Sequence, residues 1–189
     1  MEKVRSGDVA WDIGANVGLY TERLSDAVGP TGRVVAFEPF PSCYAELQRR
    51  TAGRSNVQAL MTALSNQKGM APMTAGSDPL SPTNSLFAQP GTASIDVPVS
   101  PAHELVASGS VPAPNVVKID VEGFEEEVLE GFGDLLSEPS LRAVLIEVHF
   151  SILDQRNRRQ APARISSLLT HHGFGLRWID ASHLEAVRS

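Results

Sequence analysis

Short apolar runs alternate along the chain with segments of helical periodicity. The apolar runs at residues 8–13, 33–38, 56–61, 115–120 and 141–149 are rich in Val, Ile and Ala, which predicts buried strands. Apolar positions three or four apart predict helices at residues 19–28, 42–50 and 163–172. Two runs at residues 175–179 and 184–187 predict a closing pair of strands. The alternation predicts a mostly parallel sheet with an antiparallel last strand.

Residues 66–101 interrupt this pattern with prolines and glycines, which leave room for short strands or a loop but not for a long helix. Extended pieces at residues 71–75 and 95–99 predict a hairpin-like insertion. Because a long irregular segment in a compact domain is usually functional or disordered, we predict that residues 77–89 cover the active site. The 189 residues as a whole are predicted to form one domain.

Composition narrows the function classes. The net charge is −6 and no basic stripe is present, so we expect no nucleic-acid partner. One cysteine, Cys43, excludes an internal disulfide and a cysteine zinc cluster. No secretory leader and no membrane-spanning run is found, so we expect no membrane partner and a cytoplasmic location. The short cationic run at residues 156–159 predicts a solvated surface.

The loop after the first strand is the first candidate for ligand binding. Asp12 ends the strand, Gly14 and Gly18 follow, and a helix begins; such turns bind small ligands in open α/β sheets. A dinucleotide fingerprint has a glycine where this chain has Asn16, and the Asp12 carboxylate would oppose a pyrophosphate. The turn therefore favours a ligand with an ammonium group or hydroxyl donors.

A second acid, Glu38, ends the next strand. Its position about twenty residues further on is where βαβ units place an acid on a ribose. Pro39 restricts the backbone beside it. A ribose and an amino group without a pyrophosphate describe S-adenosylmethionine (SAM) better than NAD. The alternative is that Asp12 and Glu38 merely cap the helices that follow.

The chain resembles the FkbM family of SAM-dependent methyltransferases. Four segments carry the resemblance: Asp-Ile-Gly-Ala-Asn-Val-Gly at 12–18, Val-Ala-Phe-Glu-Pro-Phe-Pro at 35–41, Lys-Ile-Asp-Val-Glu-Gly-Phe-Glu at 118–125, and Ile-Glu-Val-His at 146–149. The resemblance implies an α/β, Rossmann-like class I methyltransferase fold, with a seven-stranded sheet and helices on both faces. It also implies SAM as cofactor and a hydroxyl of a small molecule, a sugar or polyketide-type product, as methyl acceptor.

The candidate cofactor-binding residues are Asp12, Gly14, Asn16, Gly18, Glu38, Pro39, Ala63, Ser85 and Asp120. Of these, Ala63, near the adenine, and Ser85 rest on the resemblance alone. A hydroxyl acceptor needs a base within hydrogen-bond reach. His149 and Asp120 are the catalytic candidates, because both follow strands at the ligand edge and the unperturbed pKa of histidine is near neutral. A histidine that only bonds a loop carbonyl is the alternative for His149, and cofactor binding the alternative for Asp120.

Further acids surround these candidates. Glu122 and Glu147 are predicted to face the substrate, while Glu125 either has a functional role or is a first-turn acid that favours the helix dipole. For Glu126 and Glu127 the dipole gives a purely structural explanation.

A metal site and two other functions remain as alternatives. Asp120, Glu122, Glu147 and His149 offer donors that suit a hard cation. The pattern does not show that they point at one spot, so no metal ligand is predicted and a divalent metal is the less favoured cofactor. The alternative functions are a non-catalytic SAM- or nucleoside-binding domain and an NAD-linked oxidoreductase, which Asp12 and Asn16 disfavour.

Overall fold

The computed structural model describes residues 3–74 and 94–188. These residues form ten strands: β1 (Val9–Ile13), β2 (Arg33–Phe37), β3 (Val57–Leu60), β4 (Ala63–Leu64), β5 (Gly69–Thr74), β6 (Ser94–Ser100), β7 (Val116–Ile119), β8 (Ala143–Glu147), β9 (Phe174–Trp178) and β10 (His183–Arg188). They also form six α-helices: α1 (Leu19–Val28), α2 (Pro41–Thr51), α3 (Ala102–Ala107), α4 (Glu125–Glu130), α5 (Phe150–Gln155) and α6 (Ala161–His171). A 3-10 helix spans Gly133–Ser137. None of the helices in this part of the chain is long and apolar enough to cross a membrane.

Seven strands form the main sheet in the order β3-β2-β1-β7-β8-β10-β9. The pairs among β3, β2, β1, β7 and β8 are parallel, and β10 lies antiparallel between β8 and β9. The predicted mostly parallel sheet with an antiparallel last strand is confirmed. This order places the carboxyl ends of β2, β1, β7 and β8 side by side along one edge.

Helices cover both faces of the sheet, as the alternation of side chains in β1 shows. Trp11 packs against Phe37 at 5.0 Å and Phe132 at 5.6 Å between ring centroids, in the large core on one face. The neighbouring Ala10 packs with Leu24 of α1 on the other face. Successive strand residues point to opposite sides of a sheet, so these two clusters place helices on both faces, as predicted.

The helix predicted at residues 42–50 begins one residue earlier, and one helix was not predicted. Helix α2 begins at Pro41 with Phe40 as its N-cap residue; the pyrrolidine ring of Pro41 fixes a helical φ and lacks an N–H that would need a partner. Helix α5, six residues long, was not predicted.

A small second sheet has the order β4-β6-β5. Strands β5 and β6 pair antiparallel, in agreement with the extended pieces predicted at residues 71–75 and 95–99. Residues 77–89, predicted to cover the active site, and Ser85 within them, lie outside the described residues. The predicted single domain with an insertion at about residues 66–101 stays a prediction.

Candidate active site

The turns after β1 and β7 meet closely because Gly14 has no side chain. Gly14 has a φ of 78°, and a Cβ built there would lie 1.8 Å from the backbone oxygen of Asp120. Gly18 has a φ of 90° at the start of α1, and its Cβ would lie 2.8 Å from Leu47 Cδ1 in α2. Both glycines therefore permit close packing around the turn.

A cavity of about 320 Å³ opens at this edge of the sheet, within the range of small-molecule sites. Nine of the predicted site residues line it: Gly14, Asn16, Glu38, Pro39, Ala63, Asp120, Glu122, Glu147 and His149. The other lining residues include Ile13, Phe37, Leu64 and Met73. Asp12 and Gly18 are not among the lining residues. The cavity thus joins the ends of the parallel strands, as the sequence predicted for most of these residues.

Glu38 is buried at the end of β2. Its two carboxylate oxygens accept hydrogen bonds of 2.8 Å from the backbone N–H groups of Asn16 and Phe40. Burial raises the pKa of Glu38 to about 7, although the two N–H bonds oppose this shift. A carboxylate has about four acceptor sites, so Glu38 can still accept hydroxyl donors from a ligand in the cavity.

Asp12 lies behind the cavity wall and has no solvent exposure. Its Oδ2 accepts a 2.6 Å hydrogen bond from the Thr21 hydroxyl in α1, and its Oδ1 lies 3.3 Å from Lys118 Nζ. The direct cofactor contact predicted for Asp12 finds no support in this position. Its carboxylate instead ties α1 and Lys118 to the end of β1.

Lys118 is a site residue that sequence reasoning missed. Its Nζ lies 3.2 Å from Asp120 Oδ2, donates to the Gly14 carbonyl, and sits 4.8 Å from the centre of the Tyr20 ring. Burial alone would lower the pKa of Lys118, but the charges of Asp12 and Asp120 outweigh it and raise the pKa. The available signal was a lysine inside the otherwise apolar strand β7.

His149 lies among three carboxylates. Its Nδ1 is 2.7 Å from Glu125 Oε1, and its Nε2 is 3.6 Å from Asp120 Oδ1 and 3.5 Å from Glu122 Oε1. Glu125 is fully buried and also accepts a 2.9 Å hydrogen bond from the Gly123 N–H. Dipole stabilisation alone is therefore the wrong interpretation of Glu125, and a loop carbonyl is the wrong partner for His149.

The carboxylates change the proton affinity of this group. Burial lowers the pKa of His149, but the hydrogen bond to Glu125 and the charges of Glu122, Glu125 and Asp120 raise it to about 9. Burial also raises the pKa of Glu122; the other acids add to this rise and His149 opposes it. The arrangement favours a bound positive charge among these groups.

Arg156, the residue that follows α5, holds the turn that carries Glu122. Glu122 has a φ of 52° and Gly123 one of 90°. Arg156 donates to the Gly123 carbonyl, stacks 3.5 Å from the centre of the Phe124 ring, and pairs with Glu127 at 2.7 Å. The prediction of a solvated run at residues 156–159 is wrong for Arg156.

Glu126 and Glu127 do have structural roles, as predicted, although through ion pairs to arginine side chains. Arg158 pairs with Glu126 at 3.0 Å and lies 3.4 Å from Glu127.

These features define a class of protein. The sheet order, the antiparallel β10, the glycine turn after β1 and the acid after β2 are those of a class I methyltransferase fold. Among solved structures, the methyltransferase FkbM from Methylobacillus flagellatus KT superposes with a TM-score of 0.61 at 19% identity, over 96% of this chain and 43% of that one. Aeropyrum pernix fibrillarin, solved with natively bound SAM, superposes with a TM-score of 0.58 at 15% identity, over 97% of this chain and 67% of that one.

Within that class, the chain belongs to the FkbM methyltransferase family, because the family model for the methyltransferase FkbM domain matches residues 12–176. It is 32% identical to the hexuronic acid methyltransferase AglP of Haloferax volcanii, over 80% of this chain and 60% of that protein. It is 29% identical to the 31-O-demethyl-FK506 methyltransferase FkbM of Streptomyces tacrolimicus, over 91% of this chain and 74% of that protein. The chain thus spans less than two thirds of the length of AglP.

Proposed function

We propose that this chain is a SAM-dependent O-methyltransferase that acts on a hydroxyl group of a small molecule, of the sugar or polyketide type. The observation that carries the proposal is one cavity with Glu38 at one wall and the Asp120–His149 pair at another. Membership of the FkbM family supports the reaction and the cofactor. Relatives named for a hexuronic acid and for a demethylated FK506 support the acceptor class.

The β1–β2 side of the cavity fits the nucleoside of SAM. The buried Glu38 carboxylate accepts ribose hydroxyl donors, and Gly14 allows the ligand to approach the backbone. Ala63 and Leu64 of β4 give an apolar wall for the adenine. Asn16 fixes Glu38 through its backbone N–H. Asp12 has an indirect role in the site, because it holds Lys118 beside Asp120.

The β7–β8 side of the cavity fits the transfer itself. SAM supplies a methyl group on a sulfonium, and a hydroxyl acceptor must give up its proton. Asp120 is the group that we assign to receive it, with His149 3.6 Å away to support its charge. Glu122 and Glu147 line the same side. They accept hydrogen bonds from other hydroxyl groups of the acceptor, and these bonds fix the orientation of the acceptor.

Calorimetry with S-adenosylhomocysteine, the cofactor product, tests this proposal. The folded wild type should bind one equivalent per chain, and Glu38→Gln should bind about tenfold more weakly or worse, because a hydrogen bond to a charged group is lost. Glu46→Gln, in α2 and outside the cavity, is the matched control and should bind as the wild type does. Folded wild type that binds no S-adenosylhomocysteine would reject the proposal.

Transfer is then assayed with a panel of hydroxylated sugars and polyketide-type alcohols. We expect a methylated ether product, and a loss of turnover in Asp120→Asn with little change in S-adenosylhomocysteine affinity. Cofactor binding without transfer to any acceptor would favour the alternative, a non-catalytic SAM-binding domain.

A further inference from the structure

We propose that Asp120, Glu122 and His149 form a site for one divalent cation of the Mg²⁺ or Mn²⁺ type. Each residue offers one ligand atom, and these atoms lie within 4.8 Å of one another. His149 Nε2 is 3.6 Å from Asp120 Oδ1 and 3.5 Å from Glu122 Oε1. Two ligands that each lie about 2.1–2.2 Å from one ion are themselves about 3.0–3.6 Å apart, so the two distances from His149 suit a shared ion.

Glu125, outside this group of three, orients the histidine. Its Oε1 takes the 2.7 Å hydrogen bond of His149 Nδ1 and a second bond from the Gly123 N–H. With Nδ1 engaged, Nε2 is directed to the two carboxylates. A carboxylate behind the histidine is the usual support of a metal-binding imidazole.

A cation held by His149 would also stabilise the charge of Glu125. Its side chain has no exposure, and its Oε2 has no hydrogen-bond partner among the residues that the structure describes. A buried carboxylate is stable when a positive charge lies close to it. A divalent ion on His149 would supply that charge.

The two carboxylate oxygens of Asp120 have different neighbours, and one of these oxygens is placed to bind the ion. Oδ2 faces Lys118 Nζ at 3.2 Å, and Oδ1 faces His149. Two carboxylate oxygens and one imidazole nitrogen, with no thiolate among them, favour a hard cation. Glu147 lines the same cavity and adds negative charge. This proposal departs from the sequence-based expectation that no metal ligand is present.

The role of the ion rests on the proposed function, whereas its binding does not. The site lies at the cavity wall to which we assign the acceptor hydroxyl. A cation there would lower the pKa of a coordinated hydroxyl and hold its oxygen in place.

Titration of the full chain with Mn²⁺, followed by the electron paramagnetic resonance signal of the free ion, tests the site directly. We expect one bound Mn²⁺ per chain, which Mg²⁺ displaces. Glu122→Gln and His149→Gln should each weaken Mn²⁺ binding by about tenfold or more. Glu46→Gln and His171→Gln, both outside the cavity, are matched controls that should leave it unchanged.

Circular dichroism on each variant shows that it is folded, and Glu122→Gln keeps the test decisive if His149→Gln does not fold. The cation site would be overturned if Mn²⁺ stays free, or if it binds folded Glu122→Gln as tightly as wild type. The positive charge beside Glu125 would then be a proton on His149.

S-adenosylhomocysteine binding is measured on the same samples. If the protein binds S-adenosylhomocysteine but not Mn²⁺, only the cation site is rejected. If it binds Mn²⁺ but not S-adenosylhomocysteine, only the proposed function is rejected.

Discussion

Burial controls how the acidic side chains around the cavity behave. Glu38 is 5% exposed and has two backbone N–H donors, and its pKa still rises to about 7 because desolvation is the larger effect. Asp12 is buried as deeply but lies 3.3 Å from the Lys118 ammonium. Two acids that look alike in the sequence thus have different electrostatic partners.

The raised pKa of Glu38 predicts a pH dependence of stability. Between about pH 4.5, the ordinary value, and about pH 7, the folded state keeps a proton that the unfolded state has lost. The stability that this proton contributes is fully present below about pH 4.5 and is lost as the pH rises through 7. From pH 5 to pH 8, the free energy of unfolding of wild type should therefore fall by roughly 2–3 kcal/mol relative to Glu38→Gln.

Urea unfolding of both proteins at several pH values measures this difference. Other titrating groups contribute equally to both curves, so they cancel. A gap between wild type and Glu38→Gln that stays constant from pH 5 to pH 8 would contradict the assignment.

Gly14 gives a second prediction at this scale. Alanine there combines a positive φ with a Cβ placed 1.8 Å from the Asp120 backbone oxygen, so Gly14→Ala should cost about 2–5 kcal/mol of stability. Gly53→Ala, where a Cβ meets nothing within 4 Å, should change stability by about 0.5 kcal/mol or less. Equal stability of the two variants in denaturant unfolding would show that β1 and β7 do not approach as described.

At the scale of elements, the site depends on Arg156, directly after α5, to hold the turn between β7 and α4. Arg156 is 12% exposed and contacts the Gly123 carbonyl, the Phe124 ring and Glu127, which is also 12% exposed. Arg159, three residues on, is 81% exposed and pairs with Asp154 at the surface. Arg156 and Arg159 of the same cationic run therefore differ, because the first is structural and the second is solvated.

Replacing these two arginines should have unequal effects. Arg156→Ala leaves Glu127 with the more distant Arg158 at 3.4 Å, and we expect a loss of about 2–4 kcal/mol of stability. Arg159→Ala removes an exposed pair and should cost about 0.5 kcal/mol or less. Thermal or urea unfolding compares them, and equal losses would contradict the role given to Arg156.

Most of the fold could be predicted from the sequence because strand and helix periods differ. The strand ends at Glu38, Asp120 and His149 were placed at one edge because parallel strands share that edge. Helix α5 was missed because six residues give too short a pattern to distinguish one turn of helix from a loop.

The finer contacts of the site depend on packing that the sequence does not encode locally. Asp12 faces Thr21 and not the cavity because α1 packs directly on β1. Glu125 meets His149 although 24 residues separate them, which requires the three-dimensional arrangement of α4 and β8. The sequence shows Lys118 as a charged residue in an apolar strand, but it does not show which residues Lys118 contacts.

At the scale of the whole molecule, the strand order brings distant segments to one cavity. Residues from the turns after β1, β2, β7 and β8 and from β4 and β5 line it together. A ligand that binds there contacts the folded state and not the unfolded chain, so its binding must stabilise the entire fold.

S-adenosylhomocysteine at 100 times its dissociation constant should stabilise the protein by about 2.7 kcal/mol. For a chain of this size, that raises the melting temperature by about 5–10 °C. The same concentration of NAD should cause no shift, because Asn16 lines the cavity where a dinucleotide site has a glycine. Stabilisation by NAD and not by S-adenosylhomocysteine in differential scanning fluorimetry would favour the oxidoreductase alternative.

A crystal structure of the chain soaked with S-adenosylhomocysteine tests the central claim most directly. We predict that the ribose hydroxyls lie within hydrogen-bond distance of the Glu38 carboxylate and that the sulfur lies on the side of Asp120 and His149. A ligand bound outside this cavity, or with its ribose turned away from Glu38, would contradict the account.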